Sequence, residues 1–271
     1  WPQPWSWQKE SSQKSPSCRF DPDSSPMKER ILLIGPPGAG KTHQLLKMGQ
    51  YAGEELKRQV FVIDLEDKVE PMAIGLFGGI PSWMNLKVLV GLEEKQWEEY
   101  QEAVESLQLN EGSFILVDRI DLIWIAIRRW YSQMKYKEDL ADRLLKKAQQ
   151  MRSTMFVPEF DQGAWGVINE RYDTTMMRLL YASRCNVIMT AGIRGAGDDT
   201  PLDILGNLGV APRGQKELGH QPHTLLLLHQ RKQGKEVEFL VSTGKDIGGR
   251  PYFDNSPCYD LSLQYLANYV R

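Results

Sequence analysis

The chain has 271 residues, of which 41% are hydrophobic and 25% charged, the proportions of a globular protein long enough to bury a sizeable core. Its formal net charge of -2 gives no global attraction to nucleic acid, so a polyanion would need a local basic patch. Cys18, Cys185 and Cys258 are too few and too widely spaced for a disulfide framework or a metal knuckle, and no apolar run reaches the roughly 18 residues of a membrane span. A soluble protein of a reducing, cytoplasmic compartment, without a membrane partner, is therefore expected.

Residues 1 to 26 are rich in Ser, Pro, Gln and Trp without helical or strand periodicity, and are expected to form an extended or disordered arm. Trp1, Trp5 and Trp7 suit either a partner-docking peptide or an arm lying on its own or a neighbouring subunit. From residue 27 to the end, short apolar runs alternate with helical stretches, the pattern of an α/β core. Arg30 to Ile34 predicts a buried strand, Lys41 to Glu54 a helix, and Gln59 to Leu65 a second buried strand. Glu93 to Leu109 has helical spacing, and Ser113 to Val117 is a third apolar run ending in Asp118. Leu122 to Met155 is long, helical in character and basic in its middle, within a basic helical insertion over about 123–164. Val167 to Tyr181 predicts another helix and Asn186 to Thr190 another strand. The Gly- and Pro-rich stretch Ala191 to Gln221 predicts a long mobile loop. Thr224 to His229 and Val237 to Ser242 predict a late hairpin around Gln233-Gly234, and Leu261 to Val270 a closing helix. No internal repeat is present.

Gly35-Pro36-Pro37-Gly38-Ala39-Gly40-Lys41-Thr42 satisfies the Gly-x4-Gly-Lys-Thr pattern, and it lies between a predicted strand and a predicted helix. Glycines let successive N–H groups curl toward phosphate oxygens, and the helix start adds the positive end of its dipole. Lys41 would bridge the β- and γ-phosphates of ATP, Thr42 would place its hydroxyl on Mg²⁺, and His43 would follow the cradle. Hydrolysis further requires a group that sets a water in line with the γ-phosphate. Two strand ends offer carboxylates. Phe114 to Val117 delivers Asp118, suited to the Mg²⁺ shell, with Asp121 a turn later as a helix-start residue. Val60 to Glu66 ends in Asp64 and Glu66, alternate positions that would share one side of an extended chain.

Phe61 to Pro71, reading FVIDLEDKVEP, is similar to the segment of RecA-like recombinases that carries the catalytic glutamate, and Glu66 falls on that position. Ser113 to Asp121 resembles their Walker B strand, with Asp118 on the aspartate. Trp165-Gly166, the helix Val167 to Tyr181 and the strand Asn186 to Thr190 look like the RecA-like phage ATPases related to single-strand annealing proteins. Thr190 occupies the position of their γ-phosphate sensor strand, although Ala191-Gly192 stands near where recombinases often carry a glutamine. Lys245-Asp246-Ile247-Gly248-Gly249-Arg250-Pro251 resembles the segment that reaches into a neighbour's ATP site, with Lys245 on a finger position and Arg250 nearby. The resemblance implies a RecA-like P-loop NTPase fold with a mainly parallel central sheet flanked by helices. It implies a Mg-dependent ATP hydrolase, phage-encoded or otherwise intracellular, assembling into a ring or filament with ATP at subunit interfaces.

A strand of nucleic acid would find cations at Arg128, Arg129, Lys135, Lys137, Arg143, Lys146, Lys147 and Arg152, with Trp130, Tyr131 and Tyr136 interleaved for stacking. The plainer alternative is an amphipathic helix with a solvated basic face and aromatics in the core. The resemblance places a second DNA loop at about Arg194 to Gly219, where Arg194, Arg213 and Lys216 lie. His220 and His223 lack the companion ligands of a zinc site. The expected function is thus a DNA-dependent ATPase acting on single-stranded DNA in phage-type recombination, annealing or repair. A ring helicase or translocase, a nucleotide or small-molecule kinase, and a weakly hydrolysing ATP-gated assembly module are the rivals.

Overall fold

The computed structural model describes residues 28–89, 95–107, 110–151, 159–182, 184–195, 209–234, 236–248 and 253–268. Strand β1 (Arg30–Ile34) leads through the glycine loop into helix α1 (Lys41–Gln50), which continues as a π-helical turn, Tyr51–Glu55. Then follow β2 (Val60–Asp64), α2 (Val69–Phe77), β3 (Met84–Val88), α3 (Gln96–Ser106) and β4 (Phe114–Asp118). Three helices, α4 (Asp121–Tyr136), α5 (Leu140–Met151) and α6 (Gln162–Met177), precede β5 (Asn186–Ala191). The chain closes with β6 (Ile193–Gly195), β7 (Val210–Pro212), β8 (Thr224–Gln233), β9 (Glu236–Asp246), β10 (Ser256–Pro257) and α7 (Leu261–Gln264).

Among the described residues eight strands form one sheet in the order β10-β9-β8-β1-β5-β4-β2-β3. From β8 to β3 the pairs are parallel, while β8-β9 and β9-β10 are antiparallel. Strands β1, β2, β4 and β5 are buried at every position, as the middle of a parallel sheet covered on both faces must be. Alternation divides the two cores. Leu32 and Ile34 face the layer containing Trp97, Tyr100, Ile123, Ile127 and Tyr172 from α3, α4 and α6. Ile31 and Leu33 face the layer containing Leu45, Leu46, Val69 and Leu261 from α1, α2 and α7. Each such fully buried aliphatic side chain contributes about 1.5 to 3 kcal/mol relative to exposure.

This α/β architecture agrees with the sequence, and the local departures have physical causes. The helical stretch expected from Leu122 is divided into α4 and α5, because Lys137 adopts φ 57 and ends α4 after Tyr136. The expected loop after β5 contains a short antiparallel pair, β6 with β7, and a 3-10 turn at Lys216–Gly219. The closing helix is cut to α7 plus a 3-10 turn at Leu266–Asn268. The expected arm over residues 1–26 lies outside the described residues. Among the described residues no helix is long and apolar enough to cross a membrane.

Candidate active site

In a parallel sheet the carboxyl ends of neighbouring strands open onto one crevice. Here β1, β2, β4 and β5 end there together. Asp64 pairs in register with Asp118, and Leu33 with Thr190. The loop Gly35 to Gly40 leaves β1 at this edge. Its curl is enforced by sterics: a Cβ on Gly35 would stand 2.2 Å from the Leu228 carbonyl oxygen, and Gly38 and Gly40 sit at φ +80 and +84. Pro36 and Ala39 close the turn through a 3.3 Å backbone hydrogen bond, Pro37 and Gly38 are exposed at the rim, and Gln230 donates to the Gly38 carbonyl at 2.6 Å. Gly40 hands the chain to α1, whose first N–H groups have no partner within the helix.

Lys41 lies inside this loop, its Nζ donating to the carbonyls of Gly35 at 2.8 Å and Pro36 at 2.9 Å. Burial, and then the nearby Arg119 cation, hold its pKa below the usual lysine range. Thr42 donates its hydroxyl to Asp118, 3.0 Å to Oδ2 and 3.2 Å to Oδ1. Asp118 is fully buried, so desolvation raises its pKa while the hydroxyls of Thr190 and Thr42 oppose the rise. A hydroxyl and a carboxylate side by side are the hard oxygen donors that Mg²⁺ prefers, so Thr42 and Asp118 fit that ion. His43, half-buried next in α1, has its pKa lowered by burial.

Glu66 stands on the turn after β2. Its Oε1 accepts from Arg119 at 2.6 Å and its Oε2 from Lys68 at 2.6 Å. The expected alternation of Asp64 with Glu66 is not what forms. β2 stops at Asp64, whose buried carboxylate accepts the backbone N–H groups of Glu66, Lys68 and Val69 and so fixes the turn and the start of α2. Thr190, expected on the sensor strand, donates to Asp118 Oδ1 at 2.6 Å and accepts from the Arg119 N–H at 2.8 Å.

Arg119 is the residue that sequence reasoning passed over. It follows Asp118 at φ 72, which turns its guanidinium toward β2, where it meets Glu66 and, through Nε and a terminal nitrogen, both oxygens of buried Asp121 at 2.8 Å each. Those carboxylates raise its pKa, Asp121 most. Its trace in the sequence is a charged residue directly after Asp118, which no spacing rule marks.

The remaining expected residues lie elsewhere. Lys245, expected to reach a neighbour, is turned onto its own chain: Nζ donates to the carbonyls of His220 at 2.6 Å and Pro222 at 2.7 Å, and burial lowers its pKa. Arg250 and Arg152 lie outside the described residues.

In the basic region several cations have partners within the chain and the rings lie in the core, the arrangement of the plainer amphipathic-helix alternative. Arg128 forms a two-pronged ion pair with Glu159, Lys146 pairs with Glu138, and Arg143 is buried over the Tyr136 ring while donating to the Glu159 carbonyl. Tyr131 is buried edge-on to Phe160, and Trp130 packs on the core under Arg171. The rings serve the α4–α6 packing because helical spacing puts them on its apolar side. Lys135 and Lys137 are exposed, and Lys147 and Arg129 are half-buried. Beyond β5, Arg194 is half-buried on β6, while Arg213 is exposed just after β7, its N–H bonded to the Gly192 carbonyl.

The family model of the AAA domain matches residues 27–219 of the chain. No curated protein matches it in sequence. Among solved structures, a KaiC-like protein of the hyperthermophilic archaeon Pyrococcus horikoshii OT3 aligns over 84% of this chain and 83% of its own, at 13% identity and a TM-score of 0.47.

Proposed function

The chain belongs to the AAA-domain family, and from that premise we propose that it hydrolyses ATP at the Gly35 to Thr42 loop in response to single-stranded DNA, as in phage-type recombination, annealing or repair. As a P-loop ATPase of the AAA and RecA-like class it has the fold for the first part. The observation that carries the reading is that Lys41 lies inside the loop, Thr42 bonds Asp118, and the carboxylates of Asp118 and Glu66 are both near enough for their charges to act on Lys41.

In this reading the loop's amides and Lys41 hold the triphosphate, with the Lys41 ammonium transferring from the loop carbonyls to phosphate oxygen. Mg²⁺, bound with ATP, would neutralise charge on the β- and γ-phosphates. Thr42 and Asp118 would hold that ion, and Thr190 keeps the Asp118 carboxylate oriented. Glu66 orients the attacking water. The polymer surface is assigned to the paired strands β6 and β7, with Arg194 and Arg213. Support comes from the start of β6, where Gly192 lies against Arg119 and Asp121 and so within reach of the hydrolytic groups. A ring or filament is part of the proposal: Phe239, 42% exposed, lies against the loop at Gly40, so a subunit covering it would border the nucleotide.

A rival, an ATP-gated assembly module that scarcely hydrolyses, is favoured by one observation: both Glu66 oxygens are engaged by cations. Steady-state phosphate release with and without single-stranded DNA, across protein concentration, separates the two. Lys41→Ala is expected to lose nucleotide binding or turnover, and Glu66→Gln to bind ATP but release phosphate about 100-fold more slowly. Parental release by Glu66→Gln supports the module, and parental release by Lys41→Ala removes the site.

A further inference from the structure

We infer that Arg119 is a positioning residue for hydrolysis, the fixed donor that sets Glu66 in the site; this rests on the reading of Glu66 as the group that orients water.

Glu66 has no strand to hold it. It sits on the turn between β2 and α2, and its other cation, Lys68, is 61% exposed and unanchored by burial. Arg119 is the opposite case. Its guanidinium is 16% exposed and is clamped by Asp121, the fully buried first residue of α4, which takes Nε and one terminal nitrogen in the planar two-pronged geometry. That clamp leaves the other terminal nitrogen to point at Glu66 Oε1, 2.6 Å away. A lysine's single ammonium could not face both carboxylates with fixed angles.

The backbone makes the same case. Arg119 holds a left-handed φ of 72, a conformation that costs a non-glycine residue energy and survives where surroundings impose it. Two groups impose it: the Arg119 N–H donates to Thr190 Oγ1 on β5, and the side chain is fixed by Asp121. One residue therefore ties together the ends of β4, β5 and β2. It also lies near the start of β6: a Cβ on Gly192 would lie 3.5 Å from Arg119, from Asp121 and from Arg213. A polymer seated on Arg213 would thus be separated from the Glu66 holder by a single layer of contacts.

The test is ATP turnover and binding of a fluorescent ATP analogue by Arg119→Gln, Arg119→Lys, Glu66→Gln and the Arg119→Gln/Glu66→Gln double variant. Misplacing Glu66 should lower kcat about 10- to 100-fold in Arg119→Gln, with KM and analogue affinity within about threefold of the parent. Arg119→Lys should recover part of the loss, and adding Arg119→Gln to Glu66→Gln should change its residual turnover less than about threefold. Unchanged or raised kcat in Arg119→Gln overturns the inference, as does full multiplicativity in the double variant. If Glu66→Gln turns over like the parent, the Glu66 reading fails first; if Glu66→Gln is slow while Arg119→Gln is normal, only this inference fails. Should Arg119→Gln not bind the analogue, Asp121→Asn keeps the cation but loosens its clamp, and an intermediate loss of kcat at constant KM is then the required result.

Discussion

Asp118 is a carboxylate taken wholly out of water, and its oxygens are met by hydroxyls from two different strand ends, Thr42 after β1 and Thr190 at β5. The Thr190 hydroxyl also accepts the Arg119 N–H, so one oxygen atom satisfies two buried groups. Replacing it with the same-shaped valine removes one of the two hydroxyls on Asp118, at about 1.5 to 3 kcal/mol for a bond to charge, and leaves the Arg119 N–H without its acceptor, at about 1. Thr190→Val is expected to lower unfolding free energy by about 2 to 4 kcal/mol in urea titration, whereas Thr190→Ser should lose roughly 1 kcal/mol for its methyl group. Parental stability with a blunted response to ATP would instead make Thr190 a nucleotide sensor. At this scale the sequence is legible where chemistry is encoded by spacing. The loop glycines, Lys41, Thr42 and Asp118 stand in a pattern with a geometric reason. Arg119 carries no pattern, because its role depends on a positive φ and on Asp121 being buried, and neither is visible in a string of letters.

Helix α1 must carry Lys41 and Thr42 at its start while its far end turns past Trp83 and the sheet. Gly53, in the π-helical turn that extends α1, makes that passage possible: a Cβ there would stand 2.6 Å from Trp83 Cβ and 2.7 Å from its Cγ. Trp83 cannot retreat freely, since it packs edge-on to Phe77 at 5.8 Å and donates to Glu54 at 3.1 Å. Gly53→Ala gains up to about 1 kcal/mol of helical propensity and incurs about 1 to 3 kcal/mol of overpacking, so a net loss of about 1 kcal/mol is expected. Chemical denaturation of Gly53→Ala in the parent and in a Trp83→Ala background checks it, because relief of the clash should turn the loss into a gain. Elements themselves were readable in proportion to their burial. β1, β2, β4 and β5 announce themselves as continuous apolar runs. α2 does not, because Pro71 sits in its first turn, a place where a missing N–H costs nothing. β3 is also hidden, since its mixed sequence MNLKV belongs to an exposed sheet edge.

For the whole molecule, a net charge of -2 means that a polyanion must be recognised locally. The concentration of cations in the sequence from Arg128 onward was the more conspicuous candidate, yet Arg128, Arg143 and Lys146 are committed to Glu159, Tyr136 and Glu138. Linear density of charge is legible in a sequence; which carboxylate folds back onto it is not. The proposed surface on β6, β7 and their flanks lies instead beside Arg119 and Asp121, where occupancy could be felt by Glu66. Affinity for a labelled poly-dT strand, measured by fluorescence anisotropy from low to moderate salt, discriminates the two. Each phosphate contact removed should flatten the slope of log affinity against log salt by about 0.7, so Arg194→Gln with Arg213→Gln should flatten it by up to about 1.4 and abolish DNA stimulation of ATP turnover. Arg128→Gln with Lys146→Gln should leave slope and stimulation near parental values, after allowing for any loss of stability from the Glu159 pair. The reverse pattern would return the DNA surface to α4 and α5 and sever the proposed link between polymer and hydrolysis.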